Sequence, residues 1–261
     1  MHQISLVCLA LAGACYIAAA IQRWRGLRTG VIHRLSWPMV LGFTALTGGL
    51  AASLAEDGSR DFAFGVLGVW SAMAGTLFAA GWISGPTRGL LALPVGCLAI
   101  LLAMLGLTNP AQTEESGTGT RLVTLVHAGC MAAHLAASLV AGGAGGIYLL
   151  AVRSLKQTPV LGLRLPPLPV LEILIERSLV IAAGLLMAGL AAGGAAMQVG
   201  TKVSFWHPAI LLSLAAMVLM TVALGLRLSG RLNRRGLALV AVQTMILSGL
   251  STLALQVLTH G

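Results

Sequence analysis

Apolar residues run along this chain in eight long blocks separated by short polar or basic stretches. The blocks cover approximately residues 4–21, 37–54, 62–83, 90–107, 122–152, 179–197, 208–226 and 237–258. Each is close to, or longer than, the roughly 20 residues that a helix needs to cross a bilayer. A chain in lipid must satisfy its backbone internally, and separate apolar segments of this length do so as helices. The pattern therefore predicts an all-α, polytopic membrane bundle of eight transmembrane helices, forming one domain over residues 1–261. The fifth block is the most informative. From 122 to 150 it carries no charge, holds His127 and His134, and ends in Gly142, Gly143, Gly145 and Gly146. Glycines weaken a helix in water, but in lipid they let neighbouring helices approach closely. This block is expected at the centre of the bundle.

Charge then assigns the sides. The connections at 22–36, 84–89, 153–178 and 227–236 contain 13 of the 16 Lys and Arg residues, with only Glu172 and Glu176 against them. The opposite side keeps Arg60, Arg121 and Lys202 with five acidic residues. This is a positive-inside distribution, and with an even number of spans it places both termini on the outer, periplasmic side. The formal net charge of +9 follows from topology and calls for no nucleic-acid partner. Composition agrees: 57% hydrophobic and 9% charged residues, with a mean hydropathy of +0.94, against about a quarter charged in soluble domains. The N-terminus has no basic leader or cleavage signature, so the first block is expected to be a retained span.

The chemistry available to such a chain is narrow. No block contains a carboxylate, which counts against an ion-coupled transporter or pump. Cys8, Cys15, Cys97 and Cys130 lie in apolar runs without a CxxC or CxxCH pattern, and read as buried thiols. Glu172 and Glu176 stand four residues apart beside Arg177, the pattern of an interfacial ion pair near a helix start. Of the histidines, His33 falls among arginines on the inner side, whereas His2, His127, His207 and His260 fall near the outer side. His127 opens the fifth block, His207 the seventh, and His260 closes the eighth. Two imidazoles at the ends of two helices would make a haem site, since neutral imidazole is a strong axial ligand. A histidine at a helix end is also an ordinary interfacial residue. His127, Cys130 and His134 share one helix face by their i, i+3, i+7 spacing. That stripe reads either as a soft-metal site or as a polar seam against a neighbouring helix. Trp206, His207 and Pro208 form an interfacial start for the seventh span, and Trp24, Trp37, Trp70 and Trp82 read as the same aromatic belt.

Taken together, several of these segments resemble the cytochrome c assembly superfamily of haem-handling membrane proteins (CcsA- and CcmC-like), most closely its short YpjD-like and HemX-like members. The residues concerned are Leu125-Val126-His127 at the head of a small-residue span and the inner loop Leu165-Pro166-Pro167-Leu168-Pro169, followed by Leu171-Glu172 and Ile175-Glu176-Arg177. The sequence Trp206-His207-Pro208, the basic stretch from Arg231 to Arg235 and a last span ending near His260 complete the set. The resemblance implies two outward-facing histidines that ligate haem iron, falling by position on His127 and His260, with His207 and Trp206 lining the site. The tryptophan-rich motif of those relatives is absent, and their span-seven histidine would fall near Leu224 or Gly225, which ligate nothing.

The reading is thus a non-enzymatic inner-membrane protein that holds non-covalent, b-type haem for haem handling or cytochrome c assembly. Its expected partners are membrane lipid, haem and other cytochrome assembly or membrane proteins. The rival reading is a structural or regulatory membrane subunit on the same fold that binds no haem and works through its glycine-rich faces and basic loops. A transporter of small solutes or metals is the third.

Overall fold

A computed structural model of the chain describes residues 2–29, 37–54, 70, 74, 93–97, 99, 121–156, 167–198 and 206–258. They form six helices: α1 (His2–Thr29), α2 (Trp37–Leu54), α3 (Arg121–Lys156), α4 (Leu168–Gln198), α5 (Pro208–Leu228) and α6 (Arg234–Leu258). Residues 70, 74, 93–97 and 99 are also helical, and no strand occurs among the described residues. Five helices, all but α2, are long and apolar enough to cross a membrane; α2 carries a shorter apolar stretch, Trp37–Ala52. The chain is a multi-pass helical membrane protein. Most of the expected spans at 62–83 and 90–107 lies outside the described residues, as do the inner loop at 84–89 and the outer loop at 109–120.

Local chemistry sets the helix ends. His207 is the N-cap of α5, its Nδ1 accepting from Ala209 N at 3.3 Å, and Pro208 follows in the first turn. Proline loses nothing there because that N–H has no intrahelical partner. Pro169 sits equally harmlessly in the first turn of α4, where the Pro167 carbonyl accepts from Val170 N. Helix α4 begins well before the apolar block at 179. Leu171, Ile175, Leu179, Ala182 and Leu186 form one buried stripe at helical spacing, so the polar-looking first turns are amphipathic helix. Helix α5 stops at Gly230, whose φ of 71° suits a residue without Cβ, while Arg231 N reaches back to Leu226 O at 2.9 Å. Asn233 starts α6 by accepting from Gly236 N at 2.6 Å.

Helix α3 is the centre, as its glycines predict: 67% of its spanning window is buried, against 28–44% for the other four. One face carries Leu135, Ala136 and Leu139 into a core with Leu9, Ala12 and Tyr16 of α1 and Leu46 of α2. The other carries Ala141, Ala144, Ile147 and Tyr148 into a core with α4, α5 and α6. Glycines allow the close approaches. A Cβ at Gly145 would lie 2.7 Å from the Ala238 carbonyl of α6, and one at Gly49 of α2 would lie 3.0 Å from Cys8 Cβ of α1. Ser5 Oγ donates to Gly49 O at 3.0 Å across the same α1–α2 seam.

Side-chain bonds fix the directions. His134 of α3 meets Ala182 of α4 and Ser248 of α6, and Ser251 of α6 donates to the Ala209 carbonyl of α5 at 2.9 Å. From α3 to α6, each helix is therefore antiparallel to the next. The start of α3, the end of α4, the start of α5 and the end of α6 gather at one end. At the opposite end, Glu172 and Glu176 of α4 pair with Arg234 of α6 at 3.0 Å and Arg227 of α5 at 3.4 Å. The sequence set these glutamates beside Arg177; the structure pairs them with arginines of α5 and α6, so they tie α4 to two other helices.

Candidate functional site

The end that gathers the α3 and α5 N-termini is where the sequence placed its outer histidines. His127 lies one to two turns into α3, half-buried against α4. Its Nδ1 is 2.6 Å from the Gly189 carbonyl. A carbonyl only accepts, so Nδ1 carries the proton and donates, and Nε2 keeps its lone pair. This is the arrangement that orients metal-ligating histidines: one ring nitrogen held by a backbone carbonyl, the other left basic. Gly193, one turn further along α4, makes room for the ring, since a Cβ there would lie 2.9 Å from His127 Nδ1 and Cε1. In the sequence, Gly189 to Gly193 reads only as a second glycine-rich helix face beside Gly142 to Gly146. Their spacing, one turn apart on α4, is the signal that a close neighbour packs there, but nothing in the letters says that the neighbour is an imidazole.

His134, the second histidine of α3, is a different object. It is 3% exposed, and both ring nitrogens are engaged. Nδ1 donates to Ala182 O at 2.9 Å, and Nε2 accepts from Ser248 Oγ at 2.9 Å. Ser138 Oγ stands 3.5 Å from the same Nε2. With no lone pair available, His134 is the polar junction of α3, α4 and α6. Cys130 also faces α4, its Cβ being 3.4 Å from where a Cβ of Gly189 would sit. The face shared by His127, Cys130 and His134 is thus the seam against α4. No group of three or more metal-ligating side chains occurs among the described residues.

His207 reaches the same end of the bundle as His127 but with its chemistry inverted. Because Nδ1 accepts the Ala209 N–H, a neutral ring carries its proton on Nε2 and has no second lone pair to offer a metal. His207 is a helix cap that can line a site and donate to it. Trp206 beside it is 77% exposed. His260 lies outside the described residues, as do His33 and residues 199–205 ahead of Trp206; α6 itself runs to Leu258. Counting from the His134–Ser248 contact at about 1.5 Å per residue, α6 passes the level of His127 about seven residues on and still has a turn of helix left. Trp70 donates from Nε1 to Thr47 Oγ1 at 3.1 Å and stacks on Phe43 with ring centroids 5.8 Å apart, so it also packs against the flank of α2.

Compared with known proteins, the chain matches no family model, no curated protein and no solved structure.

Proposed function

We propose that the protein is a non-enzymatic haem-binding protein of the bacterial inner membrane, holding b-type haem at the periplasmic end of the bundle for haem handling or cytochrome c assembly. His127 and His260 would hold the haem iron, with His207 and Trp206 at the rim. One observation carries this reading: the Gly189 carbonyl fixes the His127 tautomer so that Nε2 retains a lone pair, in a ring pocket that Gly193 opens. The donor set suits haem better than a free ion, since imidazoles from two helices make a bis-axial pair and the described residues offer no three-ligand cluster. When bound, haem would bring redox-active iron to this end; the chain's own residues hold it, orient the imidazole and cover a ring face.

The test is an absorbance titration of detergent-purified protein with haemin, for wild type and for His127→Ala and His260→Ala. A low-spin Soret band that weakens in both variants supports the site. Absence of a Soret band, or binding indifferent to both substitutions, overturns it. The second reading, a membrane scaffold without haem, draws on the glycine approaches between α3 and its neighbours and would then be pursued by co-purification of partner subunits.

A further inference from the structure

A second feature lies on the opposite side of α3 from the His127 seam and is independent of the haem reading. An open crevice of about 850 Å³ runs between α1, the helical residues 93–97, α3 and α6. Its walls are almost wholly apolar. Ile21, Cys97, Gly143, Gly146 and Gly249 contribute to them, and Arg25 supplies the one charged side chain. The glycines shape the space. A Cβ added at Gly146 or at Gly249 would meet nothing within 4 Å, whereas neighbouring Gly142 and Gly145 are closed against α6. So this face of α3 alternates between glycines that admit a helix and glycines that leave a slot.

The shape and the charge identify an occupant. Along α3 the crevice extends from Leu139 to Leu150, and along α6 from Val242 to Leu253. The antiparallel contacts His134–Ser248 and Gly145–Ala238 set these stretches in stagger, so a chain entering at the Arg25 end passes Gly146 first and Gly249 about 15 Å deeper. That distance is the reach of an acyl chain through half of the ~30 Å hydrocarbon core. Arg25 stands just past the α1 span that ends at Arg23, exposed at the mouth, on the side that carries most of the basic residues. In lipid no hydrophobic force drives a chain into a groove, so fit alone discriminates weakly and the guanidinium sets the preference.

We propose that this crevice is a binding site for one anionic phospholipid of the inner leaflet, its acyl chain lying along Gly146 and Gly249 and its phosphate at Arg25. The site takes phosphatidylglycerol in preference to a zwitterionic lipid of the same chains.

Native mass spectrometry of the delipidated, detergent-purified full chain, incubated with dioleoyl phosphatidylglycerol or dioleoyl phosphatidylcholine, tests this. The expected result is one phosphatidylglycerol retained per chain. Gly146→Leu with Gly249→Leu should abolish retention, and Gly194→Leu, which enters open space on α4, should leave it unchanged. Arg25→Gln should lower the preference for the anionic lipid roughly fivefold, the size of one arginine's attraction to such a headgroup. Should the leucine variant fail to fold, Cys97 serves as the reporter, being exposed on the crevice wall. In a Cys8→Ala, Cys15→Ala, Cys130→Ala background, phosphatidylglycerol should slow its reaction with N-ethylmaleimide, and phosphatidylcholine should do so less. Equal retention of both lipids, indifference to the crevice substitutions, or haemin rather than lipid protecting Cys97 overturns the proposal. None of these outcomes depends on His127 or His260.

Discussion

The two histidines of α3 divide structure from candidate chemistry by what their second nitrogen does. His134 bonds Ala182 O and Ser248 Oγ together, so His134→Leu removes the polar bridge that joins α4 and α6 through α3. Interhelical hydrogen bonds of this kind contribute about 0.6 kcal/mol each within membranes, rising to about 1.7. His134→Leu is expected to cost about 1–2 kcal/mol of stability in a detergent unfolding titration while leaving haemin affinity intact. Gly193→Ala should show the opposite profile. The added methyl would press on the His127 ring at 2.9 Å and turn it from its seat, and disturbing the surroundings that orient a ligating histidine typically costs about 10–100-fold in affinity. A haemin titration checks it; unchanged affinity would mean that the ring's seat is irrelevant to binding. The sequence showed both histidines and their shared face. It did not separate them, because the decisive partners are a backbone carbonyl, which has no letter, and Ser248, which lies 114 positions away. His207 was legible as the head of α5 through Pro208, but its capping role depends on a ring orientation that spacing cannot supply.

Helices were the more legible scale wherever apolar length alone decides. The blocks at 37–54 and 208–226 reappear as α2 (Trp37–Leu54) and α5 (Pro208–Leu228), since hydrophobicity ends there in charge or in a cap. Helix α4 was legible from its acidic start at Glu172 and Glu176, ahead of the apolar block; what the sequence does not show is that these turns bury Leu171 and Ile175 while the two glutamates meet Arg234 and Arg227 of other helices. The glycine-rich stretch announced close packing without saying which glycine touches what. Gly145 and Gly146 make that difference measurable. Gly145→Ala drives a methyl toward the Ala238 carbonyl, a backbone atom that moves only if α6 moves, and is expected to destabilise by about 1–3 kcal/mol, the usual cost of overpacking. Gly146→Ala enters open space and should be neutral or stabilising by up to about 1 kcal/mol through helix propensity. Thermal or denaturant midpoints of the two variants in the same detergent check the contrast. Equal effects would show that the α3–α6 contact is looser than drawn.

At the scale of the whole molecule, antiparallel packing converts a charge count into two chemically distinct ends. One end holds His127 and the His207 cap; the other holds the Glu172–Arg234 and Glu176–Arg227 pairs. Those pairs are partly exposed, so each contributes at most about 1 kcal/mol. Their more useful role is as markers of the basic face. The positive-inside distribution then orients the bundle, and reporter fusions test it. Green fluorescent protein fused after Ser229, in the basic turn between α5 and α6, should fluoresce, because it folds in the cytoplasm. Fused after Gly261 it should stay dark, and alkaline phosphatase should show the reverse pattern at both positions. The outcome bears directly on chemistry. With the expected orientation, the His127 end opens to the periplasm, where haem must arrive for covalent attachment to exported cytochromes, and Arg25 meets the cytoplasmic leaflet. If the carboxy-terminal fusion fluoresces and the Ser229 fusion does not, the same histidines face the cytoplasm. A haem site there would serve haem received inside the cell, and the lipid at Arg25 would belong to the outer leaflet. The two ends of one bundle thus rise or fall together on a single measurement of sidedness.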